Sequence, residues 1–566
     1  MNDVSYPCPA DDHSPFITTV SAGSFEPSLE MSRGELHTWV NAARRRLRDA
    51  GLKKGDRFLL CMDSNLVHDL AWRAAAALSG TIPVTVNWQA DSDERVRYKF
   101  ECTEAKAAVV APGFMGNREA GAGGLPKECL ILPMGLEPEA TSAELPHPTV
   151  GPGDTRIIIF TSGTTGEPKP VALSYGAFLV NRKIFESFLG ITDDELLTFV
   201  IVNPLHHANS TAMVDWAMRR PGSRIVLVER FSRSFWHLLA RLAESTMGRI
   251  LVPAVSKHFD VLESMARTNA IGMDPERLRM ALGRVTFLVG SAPVGPRTIA
   301  TFQRWTRQLP VVRFGSTELC LQAIGTSPSV SEELRYRAFR RGWEHTVDGR
   351  SLSGFYIGRN HAPWTDVKSV ASVDPTAPDF LEPLPHGQLG RLVVRSESAF
   401  SGYWNDNAAT AAVLFDGWYL GLGDHGFILR NPEDGEEDVY WVGRDAGLMI
   451  RGGSNYSCQQ VADELRDIVR RQFQLRDSEF DLAVIGLKLS SEHEDSCCVM
   501  LEVQTERIGA VERLREAFLA TSRELASKGA RPDRVVFGKL PRNFKGAIDV
   551  RALRAGFRSS ESVKVD

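Results

Sequence analysis

The apolar run Ile157-Ile158-Ile159-Phe160 leads straight into Thr161-Ser162-Gly163-Thr164-Thr165-Gly166-Glu167-Pro168-Lys169. The first part reads as a buried strand, and the second as a hydroxyl- and glycine-rich loop ending at a lysine. The hydroxyls of Thr161, Ser162, Thr164 and Thr165 can donate hydrogen bonds to anionic oxygens. Gly163 and Gly166 let the backbone approach those oxygens closely, so that exposed N–H groups form an anion nest. A Walker A motif is excluded, because the spacing to Lys169 is wrong and no Ser or Thr follows it. A bare polar turn is the plain alternative. The combination of donors, glycines and lysine favours a phosphate loop of another kind.

Around this loop, short buried strands alternate with helices, which predicts an α/β architecture. A helix is expected over 31–51, with Ser32 as its N-cap and Gly51 as its stop. Strands are expected at 57–62, 82–86 and 107–110, with a helix over 67–78. The rhythm continues through strands at 196–202, 224–227, 285–288 and 309–312. Near 388–395 it changes to closely spaced strands, and 431–438 reads as a solvated acidic turn before a strand at 439–442. The opening 25 residues, rich in Pro, Ser, Asp and Gly, are expected to be loosely ordered.

A chain of 566 residues exceeds what one hydrophobic core normally serves. The expected division is a large multi-layer N-terminal domain at 1–442, a hinge at 443–448 and a smaller α+β domain at 449–566. In the smaller domain, helices are expected at 458–471 and 510–527, and strands at 482–485 and 497–503.

The balance of 66 basic and 70 acidic residues gives no case for nucleic acid as the main partner. The arginine clusters at 44–46 and 340–341 read as solvated helix faces. No secretory leader is recognisable, and no apolar stretch is long enough for a membrane span. The eight cysteines are scattered, without C-x-x-C pairs or metal-ligand spacing, and this points to a reducing cytoplasm.

Several motifs, separated but in a fixed order, resemble those of the adenylate-forming superfamily: acyl-CoA synthetases, peptide-synthetase adenylation domains and luciferases. The resemblance spans nearly the whole chain. It implies that Thr161–Lys169 binds the ATP β- and γ-phosphates. Gly290-Ser291-Ala292-Pro293 and Phe314-Gly315-Ser316-Thr317-Glu318 resemble the segments that hold adenine and the reacting carboxylate. Asp424 matches the aspartate that binds the ribose hydroxyls, and Arg444 the arginine just before the hinge. Pro541-Arg542-Asn543-Phe544-Lys545-Gly546 resembles the C-terminal motif with the catalytic lysine, here Lys545. Ser401-Gly402-Tyr403-Trp404-Asn405 with Ala409-Thr410 is a further, mainly structural, signature. Arg451-Gly452-Gly453 resembles the acyl-transfer face, where glycines let a pantetheine arm pass. The small domain is expected to be mobile, swinging between the two half-reactions.

The chemistry agrees with these residue types. Two anions must meet while negative charge gathers on a phosphoryl group, which requires cations and oriented donors. Lys545 supplies an ammonium on a long stem. Glu318 can hold Mg²⁺, a hard cation that prefers oxygen ligands. Thr317 can donate to the α-phosphate or the acyl group, and His207 to the substrate. The expected reaction is ATP-dependent activation of a carboxylic acid to an acyl-AMP with release of pyrophosphate, followed by transfer to CoA. The alternatives keep adenylation but use a carrier-protein thiol, an amine or another nucleophile, or activate an inorganic oxyanion. A nucleotide-binding scaffold without turnover is the reading from another class. Oligomeric state is left open.

The chain departs from the pattern in places. His206 replaces an aromatic residue before His207, in Asn203-Pro204-Leu205-His206-His207. Ala446 stands where the hinge usually has Asp or Lys. Ser454-Asn455-Tyr456-Ser457 replaces the usual start of the next helix and reads as a cap. The 319–370 region matches only loosely. Candidate acid-pocket residues, which depend on the family's geometry, are His207, Asn209, Met213, Phe287, Phe314, Ser316, Cys320 and Gln322.

Overall fold

A computed structural model describes residues 12–116, 124–137, 145, 147–161, 168–347, 349–352, 354–444, 448–452, 454–503, 508–542 and 548–559. Outside them lie Ser162, Gly163, Thr164, Thr165, Gly166, Ala446, Gly453 and Lys545. The described residues fall into two compact units. Those of Met1–Thr161, Pro170–Gly290 and Pro296–Val442 form the first, and those of Gly443–Asp566, with Ser291–Gly295 and Pro168-Lys169, form the second.

The first unit carries two large sheets with helices between their strands. In the seven-stranded sheet, Thr155–Thr161 lies between Lys169–Ser174 and Ile82–Thr85, followed by Arg57–Cys61, Ala107–Val110 and Leu130–Pro133. Val84 pairs in parallel with Ile158, and 57–60 with 82–85. Ile157, Ile158 and Ile159 are fully buried, as expected of a strand covered on both faces. The larger sheet places Ser223–Val228, Leu197–Ile201, Arg249–Ala254, Val285–Val289 and Val311–Phe314 side by side. These five pair in parallel, so their C-terminal ends share one edge. Antiparallel strands then continue the sheet from Ile324-Gly325 through Phe355–Asn360, Glu437–Arg444, Asp424–Arg430 and Gly390–Ser396.

Local signals account for many boundaries. Ser32 caps the helix Arg33–Asp49 in a reciprocal box, accepting from Glu35 N at 3.1 Å while its own N–H donates to Glu35 Oε2 at 2.7 Å. The strand expected at 309–312 begins two residues later, as Val311–Phe314, because Pro310 has no N–H for the ladder.

Other expectations are corrected by distant partners. Within the opening residues, Pro15–Val20 is a buried-faced strand, paired in parallel with Ser223–Val228 through Ile17↔Ile225. Arg44 is buried, not solvated, and its Nη2 donates to Leu145 O at 3.0 Å. The acidic turn is solvated only in part, because Asp438 is fully buried and accepts from Asn431 Nδ2, Tyr356 Oη and Arg359 Nε at 2.8, 3.1 and 2.8 Å. Ser454–Ser457 is a strand paired with Leu448–Arg451, directly before the helix Cys458–Phe473.

The second unit has its own core. Phe480–Leu487 pairs with Ser496–Val503, which pairs in parallel with Arg534–Phe537. The helices Cys458–Phe473 and Ile508–Leu525 supply Leu465, Val469, Leu514 and Phe518 to one apolar cluster. Among the described residues no helix is long and apolar enough to cross a membrane. None of the seven described cysteines forms a disulfide.

Candidate active site

Two of the expected nucleotide segments meet at neighbouring strand ends. Leu288↔Val311 and Val289↔Val312 are in register, so Gly290 follows one strand beside the other. A Cβ on Gly290 would sit 3.1 Å from Arg313 O, so only a small residue fits comfortably there. Ser291, next along, is exposed with φ +67°; Ala292 is half-buried. Ligand sites in α/β sheets lie at such carboxyl ends.

After Phe314 the chain folds back on itself. A Cβ on Gly315 would meet Leu321 O at 1.9 Å, which no other residue could tolerate. Cys320 and Leu321 adopt φ values of 49° and 97°, an uncommon conformation held here by Leu321 N to Ser316 O at 3.0 Å. The short 3₁₀ turn Thr317–Leu319 presents Glu318, which is buried. Phe314, Gly315, Ser316 and Thr317 around it are half-buried.

Glu318 is held by phenols. Tyr403 Oη donates to Glu318 Oε1 at 3.1 Å, and Phe400 N donates to Glu318 O at 2.6 Å. Burial, and then the Glu318 carboxylate, push the hydroxyls of Tyr403 and Tyr419 far up, so both stay protonated donors. Tyr403 reaches this position because Gly402 and Tyr403 pair with Ala172 and Val171. Gly402 has φ +138°, and Thr410 Oγ1 accepts from Tyr403 N at 2.9 Å, which explains the Gly-Tyr…Thr signature. A carboxylate offers about four lone-pair sites, so two phenols leave capacity for a hard cation. Among the described residues no group of three or more His, Cys, Asp or Glu forms a metal cluster.

Asp424 opens the strand Asp424–Arg430 and is almost wholly buried. Trp441 Nε1 on the adjoining strand donates to its Oδ1 at 2.7 Å. Arg444 ends the strand Glu437–Arg444, and its side chain is outside the description. The strand Thr155–Thr161 delivers Thr161 half-buried at its end, and Lys169 is half-buried at the start of the next strand. Ser162–Glu167 between them are not described.

The paired histidines precede the helix Ala208–Arg219. Asn65 steadies this segment: its Nδ2 donates to Asn203 O at 3.1 Å, and its Oδ1 accepts from Leu205 N at 2.9 Å. His206 is buried edge-on to Trp88, with ring centroids 5.7 Å apart, whereas His207 is half-buried. Burial, and then the Lys99 ammonium, lower His207 to about 4. Burial, and then His207, hold His206 well below the usual range. Both imidazoles are therefore neutral near pH 7. Lys99 itself forms a buried ion pair with Asp91 at 2.6 Å.

Of the pocket candidates, Met213 lies in the main apolar core, and Phe287 packs edge-on to Phe259 and Phe302 at 5.1 and 6.1 Å. Both are accounted for by packing. Burial raises the Cys320 thiol strongly, leaving it unreactive. In the second unit, Gly452 has φ +57° and its N–H donates to Glu494 Oε1 at 2.6 Å. Arg451 pairs with Asp533 at 2.9 Å, and Arg542 with Asp481.

Sequence reasoning missed the roles of Tyr403 and Tyr419 around Glu318 and of Trp441 at Asp424. Their only sequence signal is an aromatic residue inside a motif already noted for another reason.

A family model described as AMP-binding enzyme matches residues 20–404. An indoleacetate–CoA ligase of Aromatoleum aromaticum is 28% identical over 86% of both chains. Among solved structures, an o-succinylbenzoate CoA synthetase from Bacillus subtilis superposes with a TM-score of 0.71 at 18% identity, covering 97% of this chain and 96% of that one. An amide bond synthetase from Marinactinospora thermotolerans gives 0.71 at 20% identity, covering 96% and 97%.

Proposed function

This chain belongs to the AMP-binding enzyme family, and from that premise we propose that it is an AMP-forming acid ligase that activates a small carboxylic acid and passes the acyl group to CoA. A carboxylate oxygen of the acid bonds to the α-phosphorus of ATP, and the bond to pyrophosphate breaks. The CoA thiol, losing its proton, then bonds to the acyl carbon of the acyl-AMP, and AMP leaves. The observation that carries this reading is the carboxylate Glu318, buried under the Tyr403 phenol at the end of a strand whose neighbour ends in Gly290.

Within this reading each residue has a task. Glu318 holds Mg²⁺, which when bound offsets phosphate charge, and its oxygen chemistry suits that ion. The Tyr403 hydroxyl fixes the carboxylate in one orientation. Asp424, aligned by Trp441, accepts from the ribose hydroxyls. Gly290, Ser291, Ala292, Phe314, Gly315 and Ser316 line the adenine and acid. Thr161, Ser162, Gly163, Thr164, Thr165, Gly166 and Lys169 take the β- and γ-phosphates. Thr317 and the neutral His207 donate hydrogen bonds to the acid and its adenylate. Lys545 is the cation for the α-phosphate, Arg444 leads into the hinge at 443–448, and Gly452 with Gly453 serves the thioester step. The working location is the cytoplasm.

A screen of carboxylic acids for pyrophosphate release, with and without CoA, tests the reading. The expected result is acid-dependent pyrophosphate release that requires Mg-ATP, with AMP release accelerated by CoA. Lys545→Ala should lower the first half-reaction by about 100-fold or more. Retention of most activity in that variant would remove its assigned role. A second reading changes only the acceptor, to an amine, a carrier-protein thiol or another nucleophile, and is favoured by the polar His206-His207 wall and by Ala446. AMP release that depends on an amine or carrier protein and ignores CoA would decide for it.

A further inference from the structure

Arg313 is a buried cation that its surroundings leave incompletely satisfied. It lies in the strand Val311–Phe314, immediately before the Phe314-Gly315-Ser316 segment, and is 5% exposed. Its Nη2 donates to Asn209 Oδ1 at 3.0 Å and lies 3.4 Å from Leu288 O. Its Nε and Nη1 are buried and have no hydrogen-bond partner among the described residues, none of whose carboxylates forms an ion pair with it. The Phe185 ring, 5.6 Å away, is its other neighbour of note. Burial lowers the guanidinium to about 9, which leaves it charged at neutral pH. An unpaired charge in such a place is strongly unfavourable unless a ligand completes it.

The geometry around Arg313 has further open hydrogen-bonding capacity. Arg313 is directly opposite Gly325 in the antiparallel pair, so its side chain leaves the same sheet face that a Gly325 side chain would. A Cβ on Gly325 would meet the Phe188 ring at 2.8 Å and Gln322 Nε2 at 3.1 Å. Gln322 is fully buried, its Nε2 is 2.8 Å from His361 Nε2, and its Oε1 has no partner among the described residues. Asn209, which holds the guanidinium, stands in the first turn of the helix Ala208–Arg219, where free N–H groups and the helix dipole favour an anion. The half-buried His207, Asn209 and Phe314–Thr317 belong to the segments that adjoin Arg313.

We propose that Arg313, steadied by Asn209, receives a second anionic group on the acid, so that the substrates are carboxylic acids bearing another carboxylate. The proposal rests on the acid-activating function above and specifies its substrate class. One guanidinium matches one carboxylate in charge, whereas a phosphate dianion would need a second cation. The reacting carboxylate is a poor occupant, because an ion pair with a buried guanidinium stabilises its ground state and blunts its attack.

The test compares α,ω-dicarboxylic acids of graded length with their monomethyl esters, in pyrophosphate release by the wild-type protein and by Arg313→Met. Melting temperature and ATP binding of the variant report whether it folds. The expected wild-type preference in kcat/KM for the best dicarboxylate over its monoester is about 100-fold or more, collapsing towards unity in Arg313→Met. If that variant does not fold, the wild-type preference and Arg313→Lys, which keeps the charge, decide. A wild-type protein that is indifferent to the second carboxylate, or a variant that loses all acids alike and keeps the ratio, would overturn the proposal. Turnover of monocarboxylates alone would overturn it and leave the acid-ligase function standing. Silence with every acid would remove that function as well.

Discussion

At the residue scale, the site is organised by what holds its acids. Glu318 would be an ill-defined carboxylate on a strained turn without the Tyr403 hydroxyl at 3.1 Å. Glu318→Gln keeps size and hydrogen bonding but removes the charge. It should lower adenylation by about 100-fold and raise the Mg²⁺ concentration needed for half-maximal rate. Tyr403→Phe should cost less, about 10-fold, with the same shift in Mg²⁺ dependence, since it removes orientation and not charge. Initial rates across a Mg²⁺ titration would check both, and an unchanged titration would exclude Glu318 as the metal carboxylate.

The buried histidines give a pH dependence whose sign follows from their environment. His206 is neutral when folded and protonates more readily when unfolded, so the unfolded state binds more protons below the usual histidine range. Stability therefore falls as pH drops through that range. The cations Lys99 and Arg73 facing His206 oppose its protonation, and His207, neutral until well below the usual range, opposes it further once protonated. His206→Phe keeps an aromatic ring against Trp88 and should lessen the drop in melting temperature from about pH 7 to about pH 5. An undiminished drop would assign acid sensitivity to other groups, such as His361, which burial lowers to about 4.

At the scale of elements, the helix Arg33–Asp49 depends on its reciprocal cap. Ser32→Ala should destabilise the protein by about 1 kcal/mol, measurable as a lower denaturation midpoint with an unchanged slope. This cap was legible in the sequence because Ser32 and Glu35 are three residues apart and the signal is local. The strand Ala107–Val110 was legible for the same reason, as a short continuous β-branched and alanine run. Pro15–Val20 was not, because its partner Ser223–Val228 lies some two hundred residues away and its flanks look like loop. Asp438 looked solvated among acidic neighbours because Tyr356 and Arg359, which bury and pair it, come from a distant strand. The site divides in the same way. Glu318 and Asp424 stand out within motifs, whereas Tyr403, Tyr419, Trp441 and Arg313 look like ordinary sheet residues until the sheets bring them together.

At the scale of the whole molecule, each unit has an apolar core drawn from its own residues. One cluster runs from Phe16 to Val311 within the first unit, whereas Leu465, Val484, Val499 and Phe518 belong to a cluster confined to the second unit. Separate cores predict separate unfolding transitions. The sequence supplies a reporter for each. All 11 tryptophans precede Gly443, the last being Trp441, so tryptophan emission follows the first unit alone. Cys458, Cys497 and Cys498 are buried in the second unit, and burial raises each thiol, with Cys458 at about 11 and Cys498 at about 12. Their labelling, mapped by mass, therefore waits for that core to open. On heating, loss of tryptophan environment and labelling of these cysteines should occur at different temperatures. Mg-ATP at about 100 times its dissociation constant should stabilise the tryptophan-reported transition by about 2.7 kcal/mol. Coincident transitions, moving together with nucleotide, would instead make the two cores one cooperative structure.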